Sequence, residues 1–172
     1  MQALDVDRLS ESPENFVAAM AAAASGVSVV TTDGPAGRFG ITVSAVASVS
    51  AEPPLVLVCV NRRSPAAAAI DANAVFAVNL LSAAQRGMAL TFAGRPASGC
   101  PYDFTAGSWR TGLTEAPLLD GASAAFECEV ERAFDAGTHR VVIGRVLAAC
   151  RTAAPPLLYS DRRFGRLVAL DH

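Results

Sequence analysis

The sequence predicts a mainly β fold with peripheral helices, and three features of the chain support this prediction. Residues 55–60 (LVLVCV) form a continuous apolar run, which is typical of a strand buried on both faces. Residues 126–131 alternate apolar and acidic side chains, as in a strand with one dry and one wet face. The predicted strands follow one another without regular helical crossovers, which argues against a parallel doubly wound sheet. A closed antiparallel barrel with a few peripheral helices agrees better with this order.

The first third of the chain predicts one helix and one hairpin. A cap-and-proline pair at 12–13 opens a helix that runs to about residue 24. Residues 27–32 are rich in β-branched side chains and predict a strand, which a turn at 33–37 connects to a second stretch at 39–50. This second stretch predicts one strand or two bent pieces, and its pairing with the first strand makes a hairpin.

Breaks and caps in the sequence define the remaining elements. Pro-Pro at 53–54 ends a strand, Ser64 with Pro65 opens a short helix, and a capping box at 82–85 starts a helix towards Phe92. Further strands are predicted at 75–81, from 122 to the turn at 136–137, at 139–149 and at 157–160. No linker or repeat divides the chain. We therefore expect a single domain over residues 1–172, with an N-terminal extension at 1–12 and a long loop at 94–108.

Composition and charge limit the classes of partner. The 172-residue chain has a net charge of −2 and no basic stripe, so nucleic acid is excluded as an expected partner. Its apolar runs are far shorter than the roughly 20 residues of a membrane helix, and the acidic N-terminus does not resemble a signal peptide. We expect a cytoplasmic protein. Because 52% of the residues are hydrophobic, we also expect a second subunit to cover an apolar face.

The chain lacks the common catalytic and metal-binding motifs. Its four cysteines form no CxxC pair and only two histidines are present, so no metal site is expected. Cys59, Cys128 and Cys150 lie in apolar strand patterns and are predicted to be buried thiols. No dinucleotide fingerprint, P-loop, HExxH or GxSxG is present. The sequence therefore favours a reaction whose chemistry belongs to a bound cofactor.

The turn that begins at Cys59 is the clearest local candidate site. A buried strand ends there, and a helix begins a few residues later at Ser64. Helix N-termini attract anions, Ser64 can cap the helix or donate its hydroxyl, and Arg62 or Arg63 can add charge-assisted contacts. These features predict a phosphate site, whereas the structural alternative is an ordinary solvated loop with a normal cap.

Three weaker candidates stand elsewhere in the chain. Small side chains fill residues 42–50, which lets a planar ligand lie against the backbone but also suits tight sheet packing. His139 follows a tight turn, where it can hydrogen-bond a carboxamide or the polar edge of a ring ligand, or simply face water. Tyr159 with the arginine pair at 162–163 can contact a phosphate or a neighbouring subunit, or form a solvated terminus.

Taken together, these segments resemble the short-chain flavin reductases, the reductase components of two-component flavin-dependent monooxygenases. The resemblance covers residues 14–168 and rests on the order and spacing of its motifs. The motifs are TTDGPAGRFGITVSAVASVSAEPPLVLVCVNRRS, FAVNLLSAAQ, TFAG, WRTG, APLLDGASAAFECEV, AGTHRVVIGRV and PLLYSDRRFGRL. The resemblance implies an FMN-binding split β-barrel that forms a homodimer. It also implies NADH- or NADPH-dependent reduction of FMN, or of FAD, and release of the reduced flavin to a partner monooxygenase.

The resemblance also assigns residues to the site. His139 matches the histidine of the GTH motif, which orients the nicotinamide. The remaining matches, with Cys59 and Arg163 from the local candidates, form the predicted flavin site: Thr42, Val43, Ser44, Ala45, Ser48, Val49, Ser50, Cys59, Asn61, Arg62, Ser64, Phe92, Ala93, Gly94 and Arg163. Two alternatives stay open at this point. One is a reductase of the same fold that keeps its flavin and reduces a corrinoid, iron or a quinone, and the other is a non-catalytic flavin- or haem-binding protein.

Overall fold

The computed structural model describes residues 12–169, which form three helices and twelve strands arranged mainly as antiparallel sheet. The helices are α1 (Pro13–Ala21), α2 (Pro65–Asn73) and α3 (Arg86–Phe92). The strands are β1 (Ser25–Gly26), β2 (Ser28–Thr32), β3 (Phe39–Val43), β4 (Val46–Ala51), β5 (Pro54–Asn61), β6 (Val75–Leu80), β7 (Trp109–Arg110), β8 (Leu118–Leu119), β9 (Ala124–Ala136), β10 (His139–Arg151), β11 (Leu157–Ser160) and β12 (Arg163–Arg166).

The main sheet has seven strands in the order β3-β2-β6-β9-β10-β5-β4, and every neighbouring pair is antiparallel. A second sheet has the order β1-β11-β12. The mainly β fold with peripheral helices is confirmed, but the closed barrel is wrong. Ser44 and Ala45 bend the chain between β3 and β4, so that β3 pairs with β2 and β4 pairs with β5. The two strands end on opposite edges of the sheet, which gives a split barrel.

Local signals place the helices as the sequence predicts. Ser12 accepts a hydrogen bond from the backbone N–H of Asn15, and Ser64 caps α2. The capping box of Ser82 and Gln85 is present, where a 3₁₀ turn leads into α3. Of the predicted extension at 1–12, all but Ser12 lies outside the described residues.

Two apolar clusters hold the helices against the sheet. The first lies between α2 and the sheet and contains the fully buried Ile70, Val58 and Phe76. The second packs α3 beneath β2 and includes Phe92 and Val29. These clusters fix α2 and α3 on either side of β3, which is the strand that organises the candidate site.

The expectation that β5 is buried on both faces is wrong for the single chain. Val56, Val58 and Val60 are buried, whereas Leu57 and Cys59 on the opposite face are only partly buried. Cross-strand neighbours lie on the same face, so this outer face continues across β10 and β9, where Phe134 is 45% exposed. Within this row Val141 is buried, whereas Leu57, Cys59 and Phe134 keep exposed surface.

Two further burial predictions need correction. Cys150 lies near the end of β10 and is exposed, so it is not a buried thiol. Glu127 was expected on the wet face of β9 but is 5% exposed. Its carboxylate accepts hydrogen bonds from the backbone N–H groups of Leu113 and Thr114 at 3.1 and 2.9 Å, and from the Thr114 hydroxyl at 3.0 Å. The loop thereby supplies the partners that a buried carboxylate needs.

The segment 94–108 contains no strand and a single 3₁₀ turn at Phe104–Ala106. Within the described residues, no helix is both long enough and apolar enough to cross a membrane.

Candidate flavin site along an edge strand

Two cavities meet β3 along its length. Cavity A, about 790 Å³, is lined by Thr42–Ser44, by one face of α3 and by the β11–β12 turn. Cavity B, about 560 Å³, is lined by Phe39–Ile41, by Asn61 and residues 63–66, and by Arg38, Tyr102 and Phe104. At about 3.3 Å per residue, the stretch from Phe39 to Ser44 spans roughly 16 Å. The two cavities therefore follow one another along a single strand.

The position of β3 at the sheet edge makes it suitable for a planar ligand. It pairs with β2 alone, so part of its backbone N–H and C=O groups are left unpaired by the sheet. The hydroxyl of Thr42 donates to the carbonyl of Ala89 at 2.8 Å, which ties β3 to α3. Gly40 lies over the buried ring of Phe92, where a Cβ atom would come within 2.6 Å of the ring. The strand is thus fixed on one face by α3 and Phe92, while its outer edge is open.

The turn at the start of α2 is already satisfied by internal hydrogen bonds. Each backbone N–H from Arg62 to Ala67 has an acceptor within this chain, and Pro65 has no N–H to offer. The acceptors are Thr138 O for Arg62, Asn61 Oδ1 for Arg63, Asn61 O for Ser64, Ser64 Oγ for Ala66 and Ser64 O for Ala67. An anion in cavity B would therefore rely on the side chains of Arg63 and Arg38 and on the Ser64 hydroxyl.

The structure separates the two arginines of this turn. Arg62 forms an ion pair with Asp135 at 3.0 Å and donates to the carbonyl of Gly137, so it lies against the β9–β10 hairpin. Arg63 lines cavity B instead. The geometry favours Arg63, rather than the predicted Arg62, as the cation that faces a ligand.

His139 lies beside this turn. It stands directly opposite Asn61 in the β10–β5 register, and side chains at opposite positions share a face of the sheet. Its Nδ1 atom is 2.9 Å from the hydroxyl of Thr138, and its ring is exposed. The GTH histidine and the Asn61 turn, 78 positions apart in the sequence, therefore come together at one end of cavity B.

Cavity A is rich in basic side chains. Arg86, Arg95, Arg162 and Arg163 all line it. The guanidinium of Arg86 lies 5.5 Å from the centre of the Phe164 ring. Sequence reasoning found the arginine pair at the end of the chain but missed Arg86 and Arg95. The helical spacing of Arg86, Ala89, Leu90 and Ala93 marks one face of α3 and could have indicated the first of these.

Several predicted residues occupy other positions. Ser48 and Ser50 line a separate, mainly apolar cavity of about 560 Å³, and Val49 is 48% exposed. Phe92 has no exposed surface, so it supports β3 from below and cannot touch a ligand there. Within the single chain, β4 is therefore not brought to the cavities along β3.

The residues at the β3–β4 bend and at the end of α3 are accessible. Ser44 and Ala45 are exposed, and the carbonyl of Ala45 accepts from the N–H of Cys59 at 3.1 Å. Burial raises the pKa of the Cys59 thiol above its ordinary value. Ala93 lines cavity A, whereas Gly94, at φ +74°, lies against the hydroxyl of Tyr102.

The donor set agrees with a flavin nucleotide. Six arginines and no Asp, Glu or His line cavities A and B within the part of the chain that the structure describes. These groups can hold an anionic tail, and the open edge of β3 offers both donors and acceptors to a pyrimidine ring. The lining offers no acid–base pair, so the arrangement can bind, orient and shield reactants whose own chemistry carries the reaction.

Comparison with known proteins identifies the family. Residues 20–168 match the model of the flavin reductase like domain. The FMN reductase (NADH) RutF of Variovorax paradoxus (strain S110) is 44% identical over 157 residues, which cover 90% of this chain and 85% of that protein. The solved NADH:FAD oxidoreductase SgcE6 of Streptomyces globisporus is 32% identical, with a TM-score of 0.82 over 98% of this chain and 99% of the other. The styrene monooxygenase flavin reductase of Pseudomonas putida S12 is 29% identical, with a TM-score of 0.79 over 91% of this chain and 99% of the other. The chain therefore belongs to the flavin reductase like family, as its motifs indicated.

Proposed function

We propose that this protein is an NADH-dependent flavin reductase that reduces FMN. Membership of the flavin reductase like family supports this proposal, as do relatives named FMN reductase (NADH). The observation that carries it is the pair of cavities along the open edge of β3, lined by arginines and by exposed backbone. FAD is a second acceptor to test, because a similar solved protein is named NADH:FAD oxidoreductase.

In this proposal the three-ring system lies against β3 between Gly40 and Ser44. The unpaired N–H and C=O groups of the edge strand hydrogen-bond the pyrimidine part of the ring and stabilise negative charge that gathers there during reduction. The small side chains at Ser44 and Ala45 let the ring approach the backbone closely. The chemistry itself belongs to the flavin, which accepts a hydride from the nicotinamide when both are bound.

His139 serves to position the nicotinamide in this proposal. It is exposed and adjacent to Asn61, at the end of cavity B, where its ring can hydrogen-bond the carboxamide of the co-substrate. Hydride transfer requires no proton from the protein. The expected contribution of His139 is therefore orientation, which affects the affinity for nicotinamide before it affects the flavin.

The test is a steady-state assay that follows NADH oxidation at 340 nm with FMN, FAD or riboflavin as acceptor and with NADH or NADPH as donor. We expect flavin-dependent oxidation of NADH, with FMN among the substrates. The same preparation without flavin controls for adventitious oxidase activity. Absence of flavin-dependent oxidation with every donor and acceptor would refute the reductase function and favour a binding protein.

We further infer that the reduced flavin is released to a separate monooxygenase. Similarity to the styrene monooxygenase reductase supports this inference, and so does the exposure of Ser44, Ala45 and Arg63 along the groove. The test is to separate the reductase from a flavin-dependent monooxygenase by a dialysis membrane that passes FMN but not protein. Product formation across the membrane is expected, whereas product that requires direct mixing would contradict diffusive transfer.

A homodimer completes the proposal. The outer face of β5, β10 and β9 carries Leu57, Cys59, Ile143 and the exposed Phe134, and obligate interfaces are apolar surfaces of this kind. The mass of one chain is 17.7 kDa, and light scattering after gel filtration is expected to give twice that mass. Substitution of Phe134 by Asp is expected to weaken the dimer, and a monomeric parent protein would contradict this part of the proposal.

A further inference from the structure

We propose that cavity A is a phosphate subsite for a nucleotide, built by Arg86, Arg95, Arg162 and Arg163. This inference rests on the proposed function and names the part of the site that recognises the charged portion of a substrate. The four side chains come from two distant segments of the chain, which are α3 with the loop just after it and the β11–β12 turn, and they line one volume.

The concentration of charge is the first argument. The whole chain has a net charge of −2 and 14 basic side chains, all of them arginine, and four of these face one cavity that no carboxylate lines. None of the four forms an ion pair with another residue in the described range 12–169. Five other arginines do have carboxylate partners, namely Arg38, Arg62, Arg110, Arg140 and Arg145. Like charges gathered without counter-charge repel one another, and a polyanion would remove that repulsion.

The backbone at Arg162 is the second argument. Asp161 and Arg162 have φ values of +48° and +59°, and they form the two-residue turn between paired Ser160 and Arg163. Tight turns with two positive φ angles favour glycine or asparagine, because a longer side chain is strained there. An arginine at this position lowers the stability of the turn, and its guanidinium is directed toward cavity A.

Comparison with cavity B is the third argument. The backbone N–H groups at the start of α2 already have internal acceptors, which leaves Arg63 and Arg38 as the cations of that cavity. Arg38 in turn is paired with Asp33 at 2.6 Å. Cavity A thus offers more uncompensated positive charge than the turn that the sequence singled out.

Two nucleotides in the proposed reaction carry phosphate. One is FMN, whose phosphate tail extends from the ring on β3. The other is the nicotinamide dinucleotide, which carries a diphosphate. Both present oxygens that arginine binds through paired N–H donors. Riboflavin has the flavin ring without phosphate, so it separates these sources experimentally.

The test uses three full-length variants. Arg162→Gly removes the charge and suits the positive φ, Arg86→Gln removes a charge from α3, and Arg166→Ala is the matched control on β12, which does not line cavity A. The Michaelis constants are measured for FMN and riboflavin at saturating NADH, and for NADH with riboflavin as acceptor. Flavin fluorescence titrations give the affinities for FMN and riboflavin without turnover, and thermal melts report stability.

If the FMN phosphate binds in cavity A, Arg162→Gly and Arg86→Gln raise the Michaelis constant for FMN about tenfold, which is the effect of one lost charge-assisted contact. The Michaelis constant for riboflavin then stays within twofold of the parent value. If the dinucleotide binds there, the NADH constant rises instead, with riboflavin as acceptor. Either result supports the subsite, particularly when Arg162→Gly melts no lower than the parent. Variants whose constants all match those of Arg166→Ala would overturn it.

Failure of the proposed function is distinguishable from failure of the subsite. If the parent protein oxidises no NADH, the fluorescence titration still compares FMN with riboflavin in parent and variants. Tighter binding of FMN that Arg162→Gly abolishes would support the phosphate subsite in a binding protein. Equal affinities of the parent for FMN and riboflavin, together with equal NADH affinities of parent and variants in the same kind of titration, would overturn the subsite.

Discussion

Gly40 gives the most direct link between packing and function, because it lies on β3 between the two cavities and directly over Phe92. A Cβ atom built at Gly40 would lie 2.6 Å from Cε1 of Phe92 and 3.1 Å from Cζ of Phe104, whereas ordinary contact begins at 3.4 Å. Phe92 is fully buried and packs edge-on against Phe104 and Trp109, with ring centres 4.9 and 5.6 Å apart. Because Phe92 is buried and enclosed by these rings, we expect the substitution Gly40→Ala to displace β3.

The expected loss of folding stability in Gly40→Ala follows from this overlap. Forcing an extra methyl group into a packed core costs about 1–3 kcal/mol, and alanine in a strand recovers about 0.5–1 kcal/mol relative to glycine. The midpoints of these two ranges leave a net loss of about 1.3 kcal/mol, which lowers the melting temperature by about 2–5 °C in a chain of this size. A shift of β3 by a substantial fraction of an ångström also misplaces the ring, so we expect kcat/KM for FMN to fall at least tenfold.

Gly144 supplies the matched control. A Cβ atom there would lie 2.6 Å from Cε1 of the buried Phe76 and closer still to Cζ, so the clash is at least as severe as at Gly40, but it falls in the other apolar cluster. Thermal melts and steady-state kinetics below the melting temperature are measured for both alanine variants. Gly144→Ala is expected to lose stability but keep the FMN constant of the parent. A Gly40→Ala protein with unchanged melting temperature and unchanged kcat/KM would refute the reasoning.

Three further predictions concern single side chains. His139→Ala is expected to raise the apparent KM for NADH several-fold and to change flavin affinity less, because the ring orients the carboxamide. Burial, with the nearby charge of Glu127, raises the pKa of the Cys128 thiol to about 12. Iodoacetamide at pH 8 should therefore label the exposed Cys100 and spare Cys128 in the folded protein, as mass spectrometry can show. The Thr105 hydroxyl and then its N–H hold the pKa of Asp103 below its ordinary value of about 3.9. Since the folded pKa is depressed, this turn is fully stabilised above pH about 3.9 and loses that stabilisation as the pH falls through the lower folded value. Fluorescence of Trp109, which donates to the carbonyl of Phe104, should report that transition.

Each of these predictions has a result that contradicts it. Equal NADH kinetics in His139→Ala and parent would remove the positioning role. Equal labelling of Cys100 and Cys128 under native conditions would show that the core around β9 opens readily. An acid transition in Trp109 fluorescence that persists unchanged in Asp103→Ala would assign the change to another group.

Local features of this fold could be predicted from the sequence because they depend on neighbouring residues. The caps at Ser12 and Ser64, the capping box at Ser82 and the β2–β3 hairpin are formed by side chains or turns a few positions apart. Burial depended on distant segments and was predicted less well. Glu127 alternates as a wet-face residue should, yet a loop fourteen positions away wraps over it and supplies its hydrogen bonds.

In the candidate site, too, local features could be predicted from the sequence, whereas contacts between distant segments could not. Residues Thr42–Ser44, which the motif resemblance assigns to the flavin, line cavity A, and His139 lies opposite Asn61 because of the register between β10 and β5. That register could not be read from either segment alone. The arginine group of cavity A combines α3 with the β11–β12 turn, and no sequence spacing relates these two segments.

The central claim is that a flavin lies along the open edge of β3, and a crystal structure of the protein with FMN tests it most directly. We predict electron density for the three-ring system between Gly40 and Ser44, with the phosphate on arginine side chains that line the groove. A well-ordered crystal grown at millimolar FMN with this groove empty, or with the nucleotide bound elsewhere, would contradict it.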